Sequence, residues 1–466
     1  METVLLFRFE IIAAVLILAL ITASLFKLDR NVKSFITAMN IILFITFLTG
    51  LIPMPEGDFF SGFFRTDRLV VLEKNILNLG VLLISLASYK WIEKSAERIE
   101  FYILMLSSVL GVYLMLSAGN ILMLYLGMEM SSLPIAAMAN LNLNDRRSSE
   151  AGTKFILSLA FSSGVMLFGI SLLYGAIGDL SFPNLMENLY PDPLTIFSFV
   201  LILSGFVFKM SAVPFHLWTA DVYEGSPVPV TSFLSVISKG SVVFVLMTVL
   251  YTVFGKLQTE WLYSITILSV LSMTVGNLFA LRQKNAKRFF AFSSIAQVGF
   301  VLVGITGASA VSVSTIVYFI LIYLLSNIMA FGVIGAIEDK IGSESLEKYK
   351  GLYKSNPLLA LMMAIALFSL AGVPPLAGFF GKMFLMASGF KSGIYILLSF
   401  AAANLVLSLY NYLRIVKFMF IDETDAPVEK ISPGISLKIV LYVCLAGLIV
   451  LSFSGPFFSF IHSLSL

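Results

Sequence analysis

The sequence predicts an all-α integral membrane protein with about fourteen transmembrane helices. Of its 466 residues, 59% are hydrophobic and only 12% are charged, and the mean hydropathy is +0.97. The apolar residues form continuous runs of roughly 20, without the period-two alternation of a membrane β-barrel. Because lipid offers the backbone no hydrogen-bond partners, these runs are expected to be helices, and most of the chain is expected to lie in the bilayer.

The apolar stretches give the predicted helices in chain order. They are 4–26, 34–52, 69–89, 101–118, 120–140, 154–177, 194–218, 228–254, 261–281, 289–307, 310–337, 357–390, 393–419 and 436–460. The first stretch contains Arg8 and Glu10 and has no small-residue cleavage site, which favours a retained helix over a cleaved signal peptide.

The basic residues predict how the bundle is oriented. Twenty-one of the thirty Lys and Arg residues fall at one set of alternate loops, and five fall at the other set. Basic loops stay on the cytoplasmic side of a membrane, so both termini are expected on the outer or periplasmic side of the cell inner membrane. The remaining four lie within the apolar stretches: Lys74, Lys209, Lys239 and Lys382.

Two helices are predicted to be discontinuous, namely helices 7 and 12. Ser211-Ala-Val-Pro214 interrupts the first, and Gly372-Val-Pro-Pro-Leu-Ala-Gly378 interrupts the second. Irregular backbone is tolerated at membrane depth only beside protein or a watered cavity. Each broken helix is the fourth of five, which predicts two inverted five-helix repeats in which Lys209 and Lys382 are pseudo-equivalent.

The helix count predicts that the chain is divided into four parts. Residues 1–100 hold helices 1 to 3, residues 101–255 form the first unit with helices 4 to 8, and residues 256–420 form the second unit with helices 9 to 13. Residues 421–466 hold a cytoplasmic loop and helix 14.

Four ionisable side chains lie deep within these helices: Glu129, Lys209, Lys239 and Lys382. A charge at the bilayer centre costs about 2.5 to 3.5 kcal/mol, so the four together predict a function, and we interpret them as a proton path. Glu129 is about 14 Å from either end of its stretch, and Lys209 is its expected partner. The alternatives are a structural Glu129–Lys209 ion pair and a Lys239 that snorkels to the headgroups.

The predicted mechanism is a change in the separation of Glu129 and Lys209. The proton affinity of a buried lysine depends on how close a carboxylate lies, so separation would release a proton towards Lys239 and then Lys382. Nearby hydroxyl groups would hold the water molecules of this path: Ser204, Ser211, Ser235 and Ser238.

Five further ionisable groups lie beside this path. His216 is a candidate proton relay, or alternatively it only caps the broken helix. Asp221 and Glu224 are expected in a solvated loop, and the alternative is that they attract protons at the cytoplasmic mouth. Lys74 is expected to pair locally with Glu73 near the membrane interface.

Several classes of function are disfavoured. The net charge of +3 gives no basic surface suited to nucleic acid. A single cysteine, Cys444, excludes an intrachain disulfide and a cysteine-bound iron-sulfur cluster. Two histidines, one at a loop edge and one near the C-terminus, make a bis-histidine haem implausible. We therefore expect no redox cofactor and no metal in this chain.

Three segments resemble the antiporter-like membrane subunits of respiratory complex I, in particular the subunit N family. They are Phe215-His-Leu-Trp-Thr-Ala-Asp-Val-Tyr-Glu-Gly-Ser-Pro through Lys239, Lys287-Arg-Phe-Phe-Ala-Phe-Ser-Ser-Ile-Ala-Gln-Val-Gly299 and Gly372–Lys382. The sister subunit M has a glutamate at the position of Lys382. Thr219-Ala220 departs from the Thr-Pro common in the family, which affects only the stiffness of that segment.

The resemblance implies a fold and a function. It implies fourteen helices in two inverted units, with Glu129, Lys209, Lys239 and Lys382 as the functional residues of helices 5, 7, 8 and 12. It also implies proton translocation within an NADH:quinone oxidoreductase, whose other membrane and peripheral subunits carry NAD, FMN, iron-sulfur clusters and quinone. The alternatives are a subunit of a multi-subunit monovalent cation/proton antiporter and a membrane scaffold whose buried charges only lock helices.

Overall fold

The computed structural model describes residues 6–26, 31–53, 56–424, 428–453 and 455–465. Fourteen membrane-crossing segments follow one another in it, and we label them α1 to α14. The first six are α1 (Arg8–Leu25), α2 (Val32–Thr49), α3 (Arg68–Ala87), α4 (Arg98–Leu116), α5 (Ile121–Ala139) and α6 (Arg146–Ile177).

The remaining segments include the two broken helices. They are α7a (Pro193–Met210) with α7b (Leu217–Gly225), α8 (Val228–Tyr251), α9 (Gln258–Ala280), α10 (Ala286–Ile305), α11 (Ala310–Ile341), α12a (Pro357–Ala371) with α12b (Ala377–Phe390), α13 (Tyr395–Phe420) and α14 (Ile435–Ser452). Thirteen of the described helices are long and apolar enough to cross a membrane, and α12a is a shorter apolar helix. The predicted all-helical membrane fold is confirmed.

The exterior of the bundle is apolar, as expected when lipid is the solvent. Leu18, Phe161 and Val406 are more than 60% exposed, on α1, α6 and α13. The helices α8, α10 and α11 are instead buried along most of their length. The centre of the molecule is therefore formed by helices from both predicted units.

A short β-hairpin lies between α2 and α3. Strand β1 (Gly57–Phe59) pairs antiparallel with β2 (Phe64–Thr66). The backbone N–H of Arg65 donates to the carbonyl of Ser117, and that of Gly119 donates to the carbonyl of Phe63. These bonds fasten the hairpin to the loop after α4.

The two five-helix units repeat the same local structure. Asn120 caps α5 and forms an isolated bridge with Ser181, whereas Asn285 caps α10 and bridges Ser345. Because α5 and α10 are an odd number of helices apart, the two bridges lie at opposite faces of the bundle. This is the arrangement that an inverted repeat requires.

The interruptions in helices 7 and 12 are also similar. Ser211 ends α7a with a φ of 62°, and Gly372 ends α12a with a φ of 85°. Both are left-handed conformations, which glycine adopts without a steric penalty and other residues rarely adopt. Both predicted discontinuous helices are confirmed.

The expected pseudo-equivalence of Lys209 and Lys382 is wrong. Lys209 lies two residues before the left-handed residue Ser211, whereas Lys382 lies ten residues after Gly372. Aligning the two interruptions places Leu370 opposite Lys209. The two lysines thus belong to different halves of their helices, although both are near an interruption.

Candidate functional site

Glu129 and Lys209 meet in the interior of the first unit. The Nζ of Lys209, at the end of α7a, is 3.4 Å from Oε1 of Glu129 on α5. The same amine donates a hydrogen bond to Oγ of Ser132, and Oγ of Ser163 donates to Glu129 Oε1 at 2.6 Å. The lysine side chain is 5% exposed and the glutamate side chain 19%. The two residues are therefore within ion-pairing distance, as the sequence predicts.

The break in α7 helps to hold this pair. Lys209 lies in the last turn of α7a, where the unpaired carbonyl groups of the helix favour a cation. Trp218 of α7b donates its indole N–H to the carbonyl of Phe208 at 3.2 Å, and its ring stacks on Phe155 of α6. This carbonyl also accepts the N–H of Ser211 at 2.9 Å, so the tryptophan adds a second hydrogen bond and fixes the two halves of the helix together.

Lys239 lies at the centre of the molecule and is 2% exposed. It follows a π-helical segment of α8, Leu234–Ser238, and such segments occur frequently at functional sites. Its Nζ donates to Oγ of Ser294 on α10 at 2.6 Å and lies 5.2 Å from the ring centroid of Tyr223. The partner of this amine is therefore a neutral hydroxyl group.

Ser294 occupies the position in the second unit that Glu129 occupies in the first. Ser294 is nine residues after the helix cap Asn285, and Glu129 is nine residues after the helix cap Asn120. Each of the two side chains binds a buried lysine. Hydropathy and charge do not single out Ser294, because only the helix caps reveal its register.

Lys382 is 3% exposed and lies beside the interruption of helix 12. Its Nζ donates to the carbonyl of Ala371, the last residue of α12a, at 3.4 Å, and lies 4.6 Å from the ring centroid of Phe300. Within the described part of the chain, no carboxylate lies within 4.0 Å of the amine of Lys239 or of Lys382. The three central lysines thus have three different partners.

Neutral polar groups lie in the second unit, close to Leu370. Gln297 donates its amide to the carbonyl of Leu370 at 2.9 Å and to the hydroxyl of Tyr412 at 2.9 Å. Tyr412 also bonds Ser293 at 2.5 Å. This chain of hydrogen-bonded groups was not predicted from the sequence. Gln297 was detectable as a lone amide in an apolar stretch, whereas Tyr412 was not.

The serines predicted to hold water differ in their bonding. Ser235 bonds the hydroxyl of Tyr323 at 3.2 Å, and Ser204 donates to the carbonyl of Leu201 in its own helix. The buried hydroxyl of Ser211 has no hydrogen-bond partner among the described residues. Ser211 therefore keeps its full capacity for bonding to water.

His216 is buried at the start of α7b, with 8% of its surface exposed. It occupies the cap position of that helix, but its side chain makes no capping hydrogen bond. Its Nδ1 is buried without a partner in the part of the chain that the structure describes. The side chain of His216 therefore does not cap the helix, and a relay role stays a prediction.

A polar cleft of about 840 Å³ opens where α8 and α10 begin. Lys287 and Glu344, which line it, form an ion pair of 2.6 Å, and Lys287 also donates to the carbonyl of Ser226 at 2.8 Å. Asn285 bonds both Glu344 and Glu224. The cleft thus reaches the ends of the two helices that hold Lys239 and Ser294 farther inside.

Asp221 is ordered on α7b, so the expectation of a solvated loop is wrong. It forms ion pairs with Lys154 on α6 at 2.7 Å and with Arg288 on α10 at 2.8 Å. Glu224 lies on the same half-helix and also pairs with Arg288, at 2.7 Å. Both carboxylates are therefore held by salt bridges to neighbouring helices.

The expected pair of Lys74 with Glu73 is wrong. The Nζ of Lys74 lies 2.5 Å from Oε1 of Glu10 on α1, and the two side chains are 1% and 8% exposed. Consecutive residues of a helix point about 100° apart, so Lys74 and Glu73 face different neighbours. This second buried carboxylate–lysine pair was not predicted from the sequence.

Comparisons with known proteins place the chain in a family. Residues 118–408 match the family model described as NADH:quinone oxidoreductase/Mrp antiporter, TM. The NADH-quinone oxidoreductase subunit N of Phocaeicola vulgatus is 43% identical over 415 residues, which cover 88% of each chain. The chain belongs to the NADH-quinone oxidoreductase subunit N family. The subunit N of Paramagnetospirillum magneticum is 37% identical over 459 residues, and the matched region covers 96% of this chain and 93% of that protein.

Solved structures agree with this family assignment. A chain of respiratory complex I from Thermus thermophilus with bound aureothin has a TM-score of 0.82 and 29% identity, over 97% of this chain and 98% of that one. A chain of the Mrp complex from Dietzia sp. has a TM-score of 0.89 at 18% identity, over 100% of this chain and 96% of that one, and shows only the shared fold. The chain is therefore a multi-pass membrane protein of the antiporter-like subunit N family.

Proposed function

We propose that this chain is a proton-translocating membrane subunit of an NADH:quinone oxidoreductase of the complex I type. The observation that carries the proposal is the buried ion pair of Glu129 and Lys209, in a molecule that also buries Lys239 and Lys382. The redox chemistry belongs to partner subunits, which hold NAD, FMN, iron-sulfur clusters and quinone. The complex lies in the cell inner membrane, with both termini of this chain outside.

Separation of Glu129 from Lys209 is the proposed driving step. At an effective dielectric constant of about 20, two unit charges attract by about 5 kcal/mol at 3.4 Å and by about 2.4 kcal/mol at 7 Å. A side-chain movement of a few ångströms therefore changes the free energy of the proton on Lys209 enough to drive its transfer. Motion in a partner subunit supplies that displacement.

Lys239 receives the proton in the next step. Its partner Ser294 is a hydroxyl group, which both donates and accepts a hydrogen bond and therefore serves either charge state of the amine. The polar cleft at the ends of α8 and α10 supplies protons from the predicted cytoplasmic side. Water beside Gln297 and Tyr412 carries the proton on towards Lys382.

The proposed units follow the predicted parts of the chain. The first unit corresponds to residues 101–255 and the second to 256–420, with α4 beginning slightly earlier at Arg98. The described residues of the ranges 1–100 and 421–466 pack beside them. In this division the Glu129–Lys209 pair belongs to the first unit, and Lys382 belongs to the second.

Substitution of the central pair tests the proposal. We expect Glu129→Ala and Lys209→Ala each to lower NADH-driven proton pumping by the assembled complex in proteoliposomes several-fold, because each removes one partner of the displaced charge pair. Lys256→Arg is the control, since Lys256 is exposed and, among the described residues, contacts the carbonyl of Glu187 and the ring of Tyr190. Normal pumping by both alanine variants in intact complexes contradicts the proposal.

The scaffold alternative predicts a different result for the double variant. Replacing a buried ion pair with apolar residues is often neutral or stabilising, because no unpaired charge remains. A scaffold should therefore tolerate Glu129→Met with Lys209→Met, whereas a proton path should not. Retained pumping by this assembled double variant supports the scaffold.

The family description also includes Mrp antiporters, so the transported ion needs its own test. A proton-translocating subunit pumps at a rate that does not depend on whether the external cation is sodium, potassium or choline. A cation/proton antiporter instead forms a proton gradient that changes with this cation. Measurement of the gradient in the three salts decides between them.

A further inference from the structure

A second buried pair of a carboxylate and a lysine lies outside the two five-helix units. The Nζ of Lys74 on α3 donates to Oε1 of Glu10 on α1 at 2.5 Å and to Oγ of Ser117 at 2.7 Å. Lys209 has the same set of partners, one carboxylate oxygen and one serine hydroxyl. The site thus repeats the chemistry of the central pair at another place in the membrane.

The pair lies between the centre of the bundle and one of its faces. Lys74 is six residues after the start of α3 at Arg68, which is about 9 Å along the helix axis. This start is on the same side as the start of α1, the predicted outer side. The pair is therefore close to the face opposite the polar cleft.

Aromatic rings separate the amine from that face. The centroid of the Phe64 ring lies 5.2 Å from Nζ of Lys74, and that of Tyr113 lies 5.7 Å away. Phe64 belongs to strand β2, is 1% exposed and packs against Phe7 with ring centroids 4.2 Å apart. The β-hairpin therefore covers the pair, and it is fastened through the carbonyl of Ser117.

One oxygen of the pair is unsatisfied. Oε2 of Glu10 is buried without a hydrogen-bond partner among the described residues, and Glu10 as a whole is 7% exposed. A buried carboxylate oxygen without a donor carries a large desolvation penalty, which a proton or a water molecule would remove. Oε2 of Glu10 can therefore accept a proton or a hydrogen bond from a water molecule.

No neighbouring group among the described residues donates a hydrogen bond to Oε2 of Glu10. Arg8, two residues before Glu10, donates to the carbonyl of Ile52 at 3.1 Å. Asp67 caps the first turn of α3 through the N–H of Val70, and Tyr113 donates its hydroxyl to Asn78. Among the described residues, Lys74 is therefore the charged group that hydrogen-bonds Glu10.

Helix α3 also connects the pair to the central lysine. A Cβ added to Gly80 would lie 2.6 Å from Ile237 in the π-helical segment of α8, and one added to Gly240 would lie 3.5 Å from Leu77. Leu77 is less than one turn from Lys74, and Gly240 follows Lys239 directly. The two lysines thus lie on helices that pack closely against each other.

We propose that Glu10 and Lys74 form a proton-release site beneath the β-hairpin. The ammonium group of Lys74 gives its proton to a water molecule at Glu10, which passes it to the outer aqueous phase, and the amine takes the next proton from the interior. Only N–H and O–H bonds change in this step. The inference rests on the proposed function, because it assumes that the chain moves protons.

Replacement of Lys74 by arginine separates release from a structural role. Arginine keeps the positive charge and the pairing with Glu10 but does not give up its proton. We expect Lys74→Arg to lower NADH-driven proton pumping by the assembled complex several-fold, while Lys256→Arg pumps at the wild-type rate. If the pair only holds α1 and α3 together, Lys74→Arg pumps normally, and that result overturns the inference.

A double variant covers the case in which arginine prevents folding. Glu10→Met with Lys74→Met leaves no unpaired charge, so the helices can still pack. Loss of pumping by this assembled variant supports the release site, and normal pumping overturns it. Lys209→Arg in the same assay tests the proposed function separately. If Lys209→Arg loses pumping while the Lys74 variants pump normally, only the proposed release site is rejected. If Lys209→Arg pumps normally, the proposed function itself is contradicted.

Discussion

The partner of each buried amine determines which charge state the surrounding structure stabilises. Lys209 faces a carboxylate, whereas Lys239 faces a hydroxyl group and Lys382 a backbone carbonyl. A carboxylate provides a counter-charge, but a hydroxyl or a carbonyl provides only a hydrogen bond. A proton that leaves Lys209 therefore moves from a paired site to two sites that contain no counter-charge among the described residues.

Removal of the Ser294 hydroxyl tests the role of Lys239. A hydrogen bond to a charged group contributes about 1.5 to 3 kcal/mol, so we expect Ser294→Ala to slow NADH-driven pumping by about tenfold or more. Ser269→Ala is a matched control, because this buried hydroxyl donates to the carbonyl of Gly299 at 2.7 Å and contacts no lysine in the described structure. Equal pumping rates for the two variants contradict a role for Lys239 in the path.

Depth along a helix predicted some of these contacts but not others. The sequence predicts the pair of Glu129 and Lys209, because both lie far from any loop and a charge at that depth needs a partner of opposite charge. It predicts Glu73 as the partner of Lys74 because the two are neighbours in sequence, whereas the true partner, Glu10, is 64 residues away. Which helix faces which is a property of tertiary packing, and the hydropathy pattern does not contain it.

The two halves of helix 12 pack closely where the helix is interrupted. A Cβ added to Gly378 would lie only 1.7 Å from the carbonyl oxygen of Ser369, one of the last carbonyl groups of α12a. Lys382 is one turn farther along α12b and reaches back to Ala371. The position of this amine therefore depends on a glycine that lets the two half-helices approach each other.

A single methyl group tests this packing. We expect Gly378→Ala to lower the thermal stability of the chain, because overpacking against rigid backbone typically costs about 1 to 3 kcal/mol. Gly164→Ala is the matched control, since a Cβ at Gly164 in α6 meets no atom within 4 Å. Differential scanning fluorimetry in detergent measures the effect, and equal midpoints for the two variants contradict the contact.

The apolar stretches located every membrane segment but missed several helix ends. Helix α6 was predicted to begin at residue 154, but it begins at Arg146, because Asp145 caps it through the N–H of Arg147. Helix α11 continues past residue 337 to Ile341 and ends at the left-handed Gly342. Caps and left-handed glycines set the ends of these helices, and hydropathy does not report them.

On the scale of the whole molecule, the two inverted units place similar structures at opposite faces. The bridge of Asn120 with Ser181 lies at one face, and the bridge of Asn285 with Ser345 lies at the other, beside the polar cleft. The Glu10–Lys74 pair lies near the face where α1 and α3 begin. The direction of proposed transport, from the cleft towards this pair, therefore depends on which face is cytoplasmic.

Cysteine labelling tests that orientation. The excess of Lys and Arg at one set of loops predicts that the Arg282 loop is cytoplasmic and the Lys391 loop is outside. Arg282 and Lys391 are both exposed. The sole cysteine of the sequence, Cys444, is buried, so background labelling of this residue should be low. We expect a membrane-impermeant maleimide to label Lys391→Cys in right-side-out spheroplasts and Arg282→Cys only in inverted vesicles.

The reverse labelling pattern would show that the polar cleft opens to the outer side. Proton uptake through the cleft and release at Glu10 and Lys74 would then run against the direction that an energy-converting oxidoreductase requires. Unmodified protein is the control for labelling of Cys444, and detergent-solubilised samples show that both introduced thiols can react. Because one impermeant reagent compares two loops of the same chain, the result fixes the direction of the proposed path independently of any activity measurement.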